Sequence, residues 1–244
     1  MKYLCKILSI ILFLNLLLIQ VLYSQYKNEN ILIVNKTNDF EITGKGVSKN
    51  WSKTNWLEIN PLNKSKEEVE LSTYVKVLYS ETGIYFLFHC EDKFLNASMD
   101  SDFMELWKED VVEVFLKPDD NLPFYFEYEL SPLNYELLLF ISDKMGFKTR
   151  WQPFDYEKKW QTLHMTSIKG GEKESGAKIT EWIAEFFIPY EYLQPFNHVP
   201  PISGARWKAN IYRVDYDQDR TSYAWQSVDK SFHEYEKFGV LLFE

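Results

Sequence analysis

The sequence predicts an all-β chain that folds as a sandwich of two antiparallel sheets. Apolar and polar side chains alternate in segment after segment, which is the two-residue period of a β-strand. Gly, Pro, Asp and Asn separate these segments at short intervals. Helical periodicity is scarce, and we expect only one helical turn at residues 190–193, after Pro189. Many short strands separated by turn signals are typical of a sandwich or a barrel.

Individual strands follow from this alternation. Residues 74–79 alternate, Gly83 lies in a short turn, and the apolar residues 84–90 follow, so this stretch predicts a β-hairpin. The residues around Gly170 and Gly176 predict a second hairpin loop, not a domain boundary. Further strands are predicted at residues 111–116, 124–130, 135–141, 160–168, 179–188, 207–214 and 238–243.

The first 24 residues predict an export signal. Two lysines, Lys2 and Lys6, precede the apolar residues 7–19, and the small and polar Ser24 and Gln25 follow. The apolar run is short for a membrane span, which needs about 20 residues. We therefore expect cleavage, with residues 25–244 forming one domain in the periplasm, at the cell surface or outside the cell. An uncleaved leader would instead act as an N-terminal anchor.

The net charge indicates which partners to expect, and the cysteine content indicates what stabilises the fold. The formal net charge is −9, and it becomes −11 once the leader and its two lysines are removed. Such an acidic protein is a poor ligand for nucleic acid or anionic membranes, so neither is an expected partner. Only Cys90 remains after cleavage, which leaves a hydrophobic core to hold the fold. Aromatic residues form 17% of the chain and suit both a core and a sugar-stacking surface.

Five segments, in order from about residue 40 to the C-terminus, resemble the family 9 carbohydrate-binding modules of the wider DOMON-like group. Two carry the most specific patterns: a Trp, two residues and an Asp before a Val-Glu-Val-Phe-Leu strand, and a Trp-x-x-Glu-x-x-Ile-Pro element. The five segments are residues 107–116, 83–92, Glu181–Pro189, 207–213 and 224–225, with His233 and Phe238-Gly239 beyond the last.

The resemblance implies a jelly-roll-like, DOMON-like sandwich that binds short glycans, often at their chain ends, without catalysis of its own. In that family two tryptophans clamp a sugar, and the matching positions are Trp107 and Trp225. Such modules usually accompany glycoside hydrolases. No hydrolase segment is evident in this sequence, so we expect separate glycan-degrading enzymes as partners.

Four further residues are expected at the site through the same resemblance. Glu113 matches a ligand-contacting glutamate, and Asn210 matches a position that often holds an amide, which both donates and accepts hydrogen bonds. Glu129 matches a charged contact, and Arg213 could pair with any of the carboxylates. Because an unpaired buried carboxylate is costly, a cross-sheet pair with Arg or Lys is the alternative role for Glu113.

The other tryptophans have different expected roles. Each of the two clamp residues could also be an ordinary packing residue, which is the usual fate of large aromatic side chains. Trp151 is a weak candidate for an additional sugar contact, and it flanks a polar segment together with Trp160. We expect the remaining four in the core, namely Trp51, Trp56, Trp182 and Trp207.

Two other functions remain open. A glycoside hydrolase needs two carboxyl groups at a set separation, and either Glu127 with Glu129 or Glu113 with Glu185 could supply them. A DOMON-type haem carrier would need an axial ligand, for which His233 or Met104 is available.

Metal and cofactor expectations are modest. We expect no cofactor, although oxygen-rich loops near strand ends could hold a structural calcium ion. Asp92 and Asp110 are the weak candidates for such a site.

Overall fold

The computed structural model describes residues 30–62, 71–144, 147–151, 162–194, 196–217 and 219–244, and for residues 143–151 only the backbone. The predicted leader, Trp160 and the side chain of Trp151 lie outside the described part. Leu32–Glu244 form one compact unit.

Thirteen strands lie within the described residues. They are β1 (Ile31–Lys36), β2 (Leu57–Pro61), β3 (Thr73–Tyr79), β4 (Gly83–Glu91), β5 (Val111–Lys117), β6 (Phe124–Leu130), β7 (Glu136–Lys144), β8 (Phe147–Trp151), β9 (Leu163–Lys169), β10 (Glu181–Pro189), β11 (Arg206–Asp215), β12 (Thr221–Ala224) and β13 (Gly239–Phe243).

These strands form two sheets. The front sheet has the order β8-β7-β6-β5-β11, and β12 and β13 both pair with the far edge of β11. The back sheet has the order β2-β3-β4-β10-β9, and β1 joins β3 in parallel. The pairings within the front sheet are antiparallel, as predicted. A short pairing of β12 with β2 links the two sheets at one edge.

Alternation along β5 divides its side chains between two clusters. Val112, Val114 and Leu116 enter the inner cluster between the sheets, where they meet aromatic residues such as Phe86 of β4. Val111 and Phe115 enter the outer cluster, which covers the opposite face of the front sheet together with residues such as Tyr125, Tyr212 and Phe238. This alternation directs Glu113, which lies between Val112 and Val114, away from the sandwich core.

Most of the predicted elements are confirmed. The hairpin around Gly83 joins β3 to β4, and the glycine-containing loop after Lys169 joins β9 to β10. Strand β6 has the predicted bounds, and a 3-10 turn occupies Tyr190–Leu193. No helix among the described residues is long and apolar enough to cross a bilayer.

Three of the four tryptophans expected in the core are buried there. Trp51, Trp182 and Trp207 are at most 3% exposed, whereas Trp56 is 43% exposed, so the prediction for Trp56 was wrong. Its ring lies on the back sheet with Lys76 Nζ 4.8 Å from the ring centroid. Because Trp56 precedes β2 outside any alternating strand, periodicity gave no sign of which way its ring points.

Candidate functional site

A cleft of about 310 Å³ opens on the outer face of the front sheet. Trp107 and Phe232 contribute aromatic rings to it, and Glu113 and Glu127 contribute carboxylates. We call it the front cleft. Its lining residues are Leu62, Trp107, Glu113, Phe115, Glu127, Arg220, Ser222, Val228, Asp229, Lys230, Ser231, Phe232 and His233.

The floor of the front cleft comes from two adjacent strands. In the register of β5 and β6, Phe115 lies opposite Glu127, and Glu113 lies opposite Glu129. Carboxylate oxygens of Glu113, Glu127 and Glu129 lie within 4.8 Å of one another, and all three residues are buried. Strand pairing thus brings together two acids of β6 with the predicted Glu113. Glu127 lines the cleft, whereas Glu129, the predicted contact, is not among the lining residues.

Trp107 forms one wall. It lies in a 3-10 turn, Leu106–Lys108, whose first residue is buried and anchors the turn in the outer cluster. The ring of Trp107 is half-buried and packs on the same cluster. The Tyr216 hydroxyl donates a hydrogen bond to the Trp107 carbonyl oxygen at 3.2 Å. The predicted contact residue is therefore exposed in part and held by its backbone.

Phe232 and His233 form a second wall. The Phe232 ring stacks on Tyr212 with centroids 4.0 Å apart, and the Arg220 guanidinium carbon lies 5.5 Å from the Phe232 centroid. His233 stacks on Phe115, and its Nδ1 lies 2.5 Å from the Tyr125 hydroxyl. His233 also lines the cleft. Met104, the other haem-ligand candidate, is 38% exposed.

Trp225 lies elsewhere. It is half-buried and packs against the inner cluster, whereas the preceding Ala224 enters the outer cluster. Alternation beyond β12 accounts for this change of side. Trp107 and Trp225 thus pack on different clusters, and Trp225 is not among the lining residues of the front cleft. The clamp of these two rings therefore stays a prediction.

Asn210 is fully buried and bonded within the protein. Its Nδ2 donates to the Tyr212 hydroxyl at 2.7 Å and to the Gln226 carbonyl at 2.9 Å. Its Oδ1 accepts from the Gln226 amide at 2.9 Å. Both amide hydrogens are therefore used inside the structure. The expected sugar contact is instead a support for the segment that follows Trp225.

Arg213 does not pair with the carboxylates of the cleft. It lies opposite Val112 in the strand register, so its side chain enters the interior side of the front sheet. There it forms ion pairs with Asp92 and Asp215 and donates to the Glu91 carbonyl at 2.7 Å. The prediction that Arg213 pairs with a site glutamate was wrong because β11 presents odd and even residues to opposite faces.

Asp92, a weak calcium candidate, has protein partners. Its Oδ2 accepts from Arg213 and from Trp182 Nε1, at 2.9 and 3.1 Å. Burial raises the pKa of the Asp92 carboxyl to about 8, although the Arg213 cation opposes this shift. Asp215 and Asp217 lie in the same acidic group, within 4.8 Å. Because the Arg213 guanidinium already supplies the counter-charge, these donors do not fit a dedicated calcium cage.

Asp110, the second calcium candidate, joins two loops. Its carboxylate accepts the Asn96 amide at 2.7 Å and the Tyr216 amide at 2.8 Å. Burial raises the pKa of Asp110 to about 7, against the opposing effect of these two hydrogen bonds. The Asp110 side chain thus accepts hydrogen bonds from two backbone amides and so holds the loop of Trp107 in place.

The glutamate pair formed by Glu113 and Glu185 is excluded as a hydrolytic pair. Glu113 lies on the outer face of the front sheet, whereas Glu185 lies on the outer face of the back sheet. There the Glu185 carboxylate accepts from Trp51 Nε1 at 2.8 Å. The inner cluster separates the two faces, so one glycosidic bond cannot contact both side chains.

Several residues of the front cleft were missed by the sequence analysis. Phe232, Arg220 and Lys230 lie in irregular segments after β11, where alternation carries no information. The available signal was composition: residues 228–233 combine charge, a hydroxyl and two rings, which suits a binding loop.

Comparisons with solved structures show other chains of the same fold. A candidate carbohydrate-binding protein from Bacteroides uniformis has a TM-score of 0.71 at 17% identity, covering 89% of this chain and 100% of that one. A family 9 carbohydrate-binding module from Caldicellulosiruptor kristjanssonii gives 0.58 at 15% identity in complex with glucose, covering 88% and 95%. Its cellotriose complex gives 0.59 at 14% identity, covering 88% and 93%. These likenesses confirm the predicted β-sandwich.

Sequence comparison identifies one curated relative and one family model that match this chain. A curated protein named "Extracellular protein", from Arthroderma benhamiae, is 30% identical over 148 residues, which are 57% of this chain. The match spans 63% of that protein's length. The model of the carbohydrate family 9 binding domain-like family matches residues 42–243. The chain therefore belongs to the carbohydrate family 9 binding domain-like family.

Proposed function

We propose that this protein binds short oligosaccharides or glycan chain ends in the front cleft, without catalysing a reaction on them. The observation that carries this proposal is the joint presence of a half-buried Trp107 ring and the carboxylates of Glu113 and Glu127 in one cleft. Membership of the family supports it.

The chemistry of the cleft suits a pyranose. A sugar ring has an apolar C–H face, which the flat indole of Trp107 would cover. Its equatorial hydroxyls would donate to the carboxylates of Glu113 and Glu127. Arg220 and Lys230 at the rim would donate to sugar oxygens. An apolar wall with a few converging polar groups is the usual form of a small-ligand site.

The size of the cleft favours a short ligand. Its volume of about 310 Å³ lies at the lower end of the roughly 300–1,000 Å³ found for small-molecule sites. One or two sugar units would fit, with the rest of a longer chain left in solvent. The solved relative contains glucose in one complex and cellotriose in another, so glucans are the first ligands to test.

The proposed contacts differ from a clamp of two tryptophans. Trp107 would cover one face of the sugar, and the wall of Phe232 and His233 would lie opposite it. Because the Tyr212 ring stacks on Phe232 and the Arg220 guanidinium carbon lies 5.5 Å from its centroid, the Phe232 ring would meet the ligand with its edge. Glu129, which lies opposite Glu113 in the strand register, would support the floor without lining the cleft.

Export and an accessory role complete the proposal. The relative from Arthroderma benhamiae carries the name "Extracellular protein", which supports export. A binding protein outside the cytoplasm would act beside separate glycoside hydrolases by holding the chain ends that they release.

Isothermal titration of the full chain with glucose and cellotriose tests the proposal. We expect binding heat in the wild type and its loss in Trp107→Ala. Trp56→Ala is the matched control, because it removes a partly exposed tryptophan from the back sheet. Absence of heat with these sugars and with a wider panel of glycans, or equal binding by wild type and Trp107→Ala, would contradict the proposal.

A further inference from the structure

Each wall of the front cleft is tied to the protein through the hydroxyl of a tyrosine. The Tyr216 hydroxyl donates to the carbonyl oxygen of Trp107 at 3.2 Å. The Tyr212 hydroxyl donates to the carbonyl oxygen of Phe232 at 2.8 Å. Trp107 and Phe232 are aromatic residues that line the cleft, one in each of the two walls described above. The two tyrosines therefore hold the backbone of both walls.

Asp110 holds the backbone of Tyr216, the tyrosine that supports Trp107. The amide of Tyr216 donates to one oxygen of that carboxylate, and the amide of Asn96 donates to the other. Asp110 lies two residues after the turn that carries Trp107, and Tyr216 directly follows β11. This arrangement fastens the loop of Trp107 to the end of a central strand at two points.

The second support is fixed by Asn210. The Asn210 amide donates to the Tyr212 hydroxyl, which then donates its own hydrogen to Phe232. The Tyr212 ring also stacks on the Phe232 ring with an interplanar angle of 6°. Asn210 holds the backbone of Gln226 on both its amide and its carbonyl side. The segment from Gln226 to Phe232 is thus attached to β11 at both of its ends, through Asn210 and Tyr212.

We infer that Tyr216 and Tyr212 are positioning residues that set the separation of the two cleft walls and thereby the affinity for a glycan end. This inference rests on the proposed function. Neither hydroxyl lines the cleft, so neither needs to contact the ligand. A sugar held between two walls depends on their spacing, because stacking and hydrogen bonding both weaken steeply with displacement.

Substitution by phenylalanine isolates this role. Tyr216→Phe and Tyr212→Phe keep each ring and remove one hydroxyl. A hydrogen bond of this kind contributes about 1 kcal/mol, which corresponds to about a fivefold change in an equilibrium constant. We therefore expect glycan affinity to fall about fivefold in either variant and further in the double variant.

Tyr190→Phe is the matched control. The Tyr190 hydroxyl is buried and donates to the Ser80 carbonyl at 3.2 Å, within the inner cluster and away from the front cleft. It loses the same chemical group and a similar hydrogen bond. We expect a lower melting temperature and an unchanged dissociation constant.

The experiment combines cellotriose titration with amide hydrogen exchange of the ligand-free full chain. Tyr216→Phe should speed exchange in residues 99–110, and Tyr212→Phe in residues 226–236, while Tyr190→Phe changes neither segment. Unchanged affinity and unchanged local exchange in both cleft variants would overturn the inference. If the wild type binds no glycan, the proposed function fails, and the exchange data alone then decide whether these hydroxyls hold the walls.

Discussion

The outer faces of the two sheets carry the same kind of residue in different surroundings. Glu185 lies on the back sheet and Glu113 on the front sheet, and both are at most 2% exposed. Over Glu185 the chain folds its own N-terminal segment, so that the carboxylate accepts from Trp51 Nε1, from the amide and hydroxyl of Thr43, and from the Gly46 amide. Glu113 lies instead in the floor of the front cleft.

This difference shows what makes a buried carboxylate functional. Glu185 uses its charge to fasten a covering segment, and the cost of burying it is offset by four donors from the chain itself. Glu113 borders a space that a ligand can enter. Glu113 and Glu185 each lie in a family motif, so the motif alone does not distinguish their roles. The difference is that a segment of the chain covers Glu185, which has a structural role, and leaves Glu113 beside a cleft, where it can bind a ligand.

The largest expected effect is on stability. Glu185→Ala leaves four donors without their acceptor, and a buried donor without a partner costs about 1–3 kcal/mol. We expect a loss of about 3 kcal/mol in the free energy of unfolding, measured by urea denaturation. Glu113→Ala, the matched change on the front sheet, should cost less than about 1 kcal/mol and lower glycan affinity. Equal destabilisation by the two variants would remove the distinction between the faces.

Mutations of the two tryptophans expected to form a clamp should likewise have different effects, one on binding and the other on stability. Trp107→Ala should weaken glycan binding about thirtyfold, because a central aromatic contact contributes at least ~2 kcal/mol. Trp225→Leu should instead lower the free energy of unfolding by about 1–2 kcal/mol, since Trp225 packs on the inner cluster. Titration and urea denaturation of both variants measure this. A large loss of affinity in a folded Trp225→Leu protein would restore the two-tryptophan clamp.

The support of the Trp107 loop should make stability depend on pH. The folded chain holds the Asp110 proton up to a pKa of about 7, above the ordinary value of 3.8. Between about pH 4 and pH 7 the folded state therefore binds more protons, and its stability falls as pH rises, by at most about 1.4 kcal/mol per pH unit. Urea denaturation across this range should show a shallower fall in Asp110→Asn than in the wild type. Parallel curves for the two proteins would contradict this role of Asp110.

The smallest expected effect lies on the back sheet. Trp56→Ala removes a ring that is 43% exposed, and we expect a stability change of about 0.5 kcal/mol with no change in glycan affinity. Titration with cellotriose and urea denaturation test both points. If this variant bound less glycan, the back sheet would carry a second binding surface, and the contrast between the faces would no longer hold.

Local periodicity was enough to predict much of the fold. Strand β6 has its predicted bounds because seven residues alternate without interruption. The same rule placed Glu113 beside Phe115 on the outward face. Strand β2 was missed because its alternation from Leu57 to Asn60 lasts only four residues before Pro61, and β12 because four residues are too few for a period.

The site was predictable only in part. A motif identified Trp107 and Glu113, both of which line the cleft. The partners of Arg213 were not predictable, since Asp92 is 121 residues away in the chain and meets it only through the packing of the two sheets. The wall of Phe232 was missed for a related reason: an irregular loop takes its position from long-range hydrogen bonds such as that of Tyr212.

The central claim is that glycan binds at Trp107 on the front sheet. Titration of the 15N-labelled full chain with cellotriose, followed through the tryptophan indole N–H signals, tests it most directly. Trp51 and Trp182 are internal references, because their indole hydrogens are bonded to Glu185 and Asp92 inside the protein. We predict a saturable shift of the Trp107 signal with these two signals unmoved. No shift at Trp107, or a larger shift at Trp56, would contradict the claim.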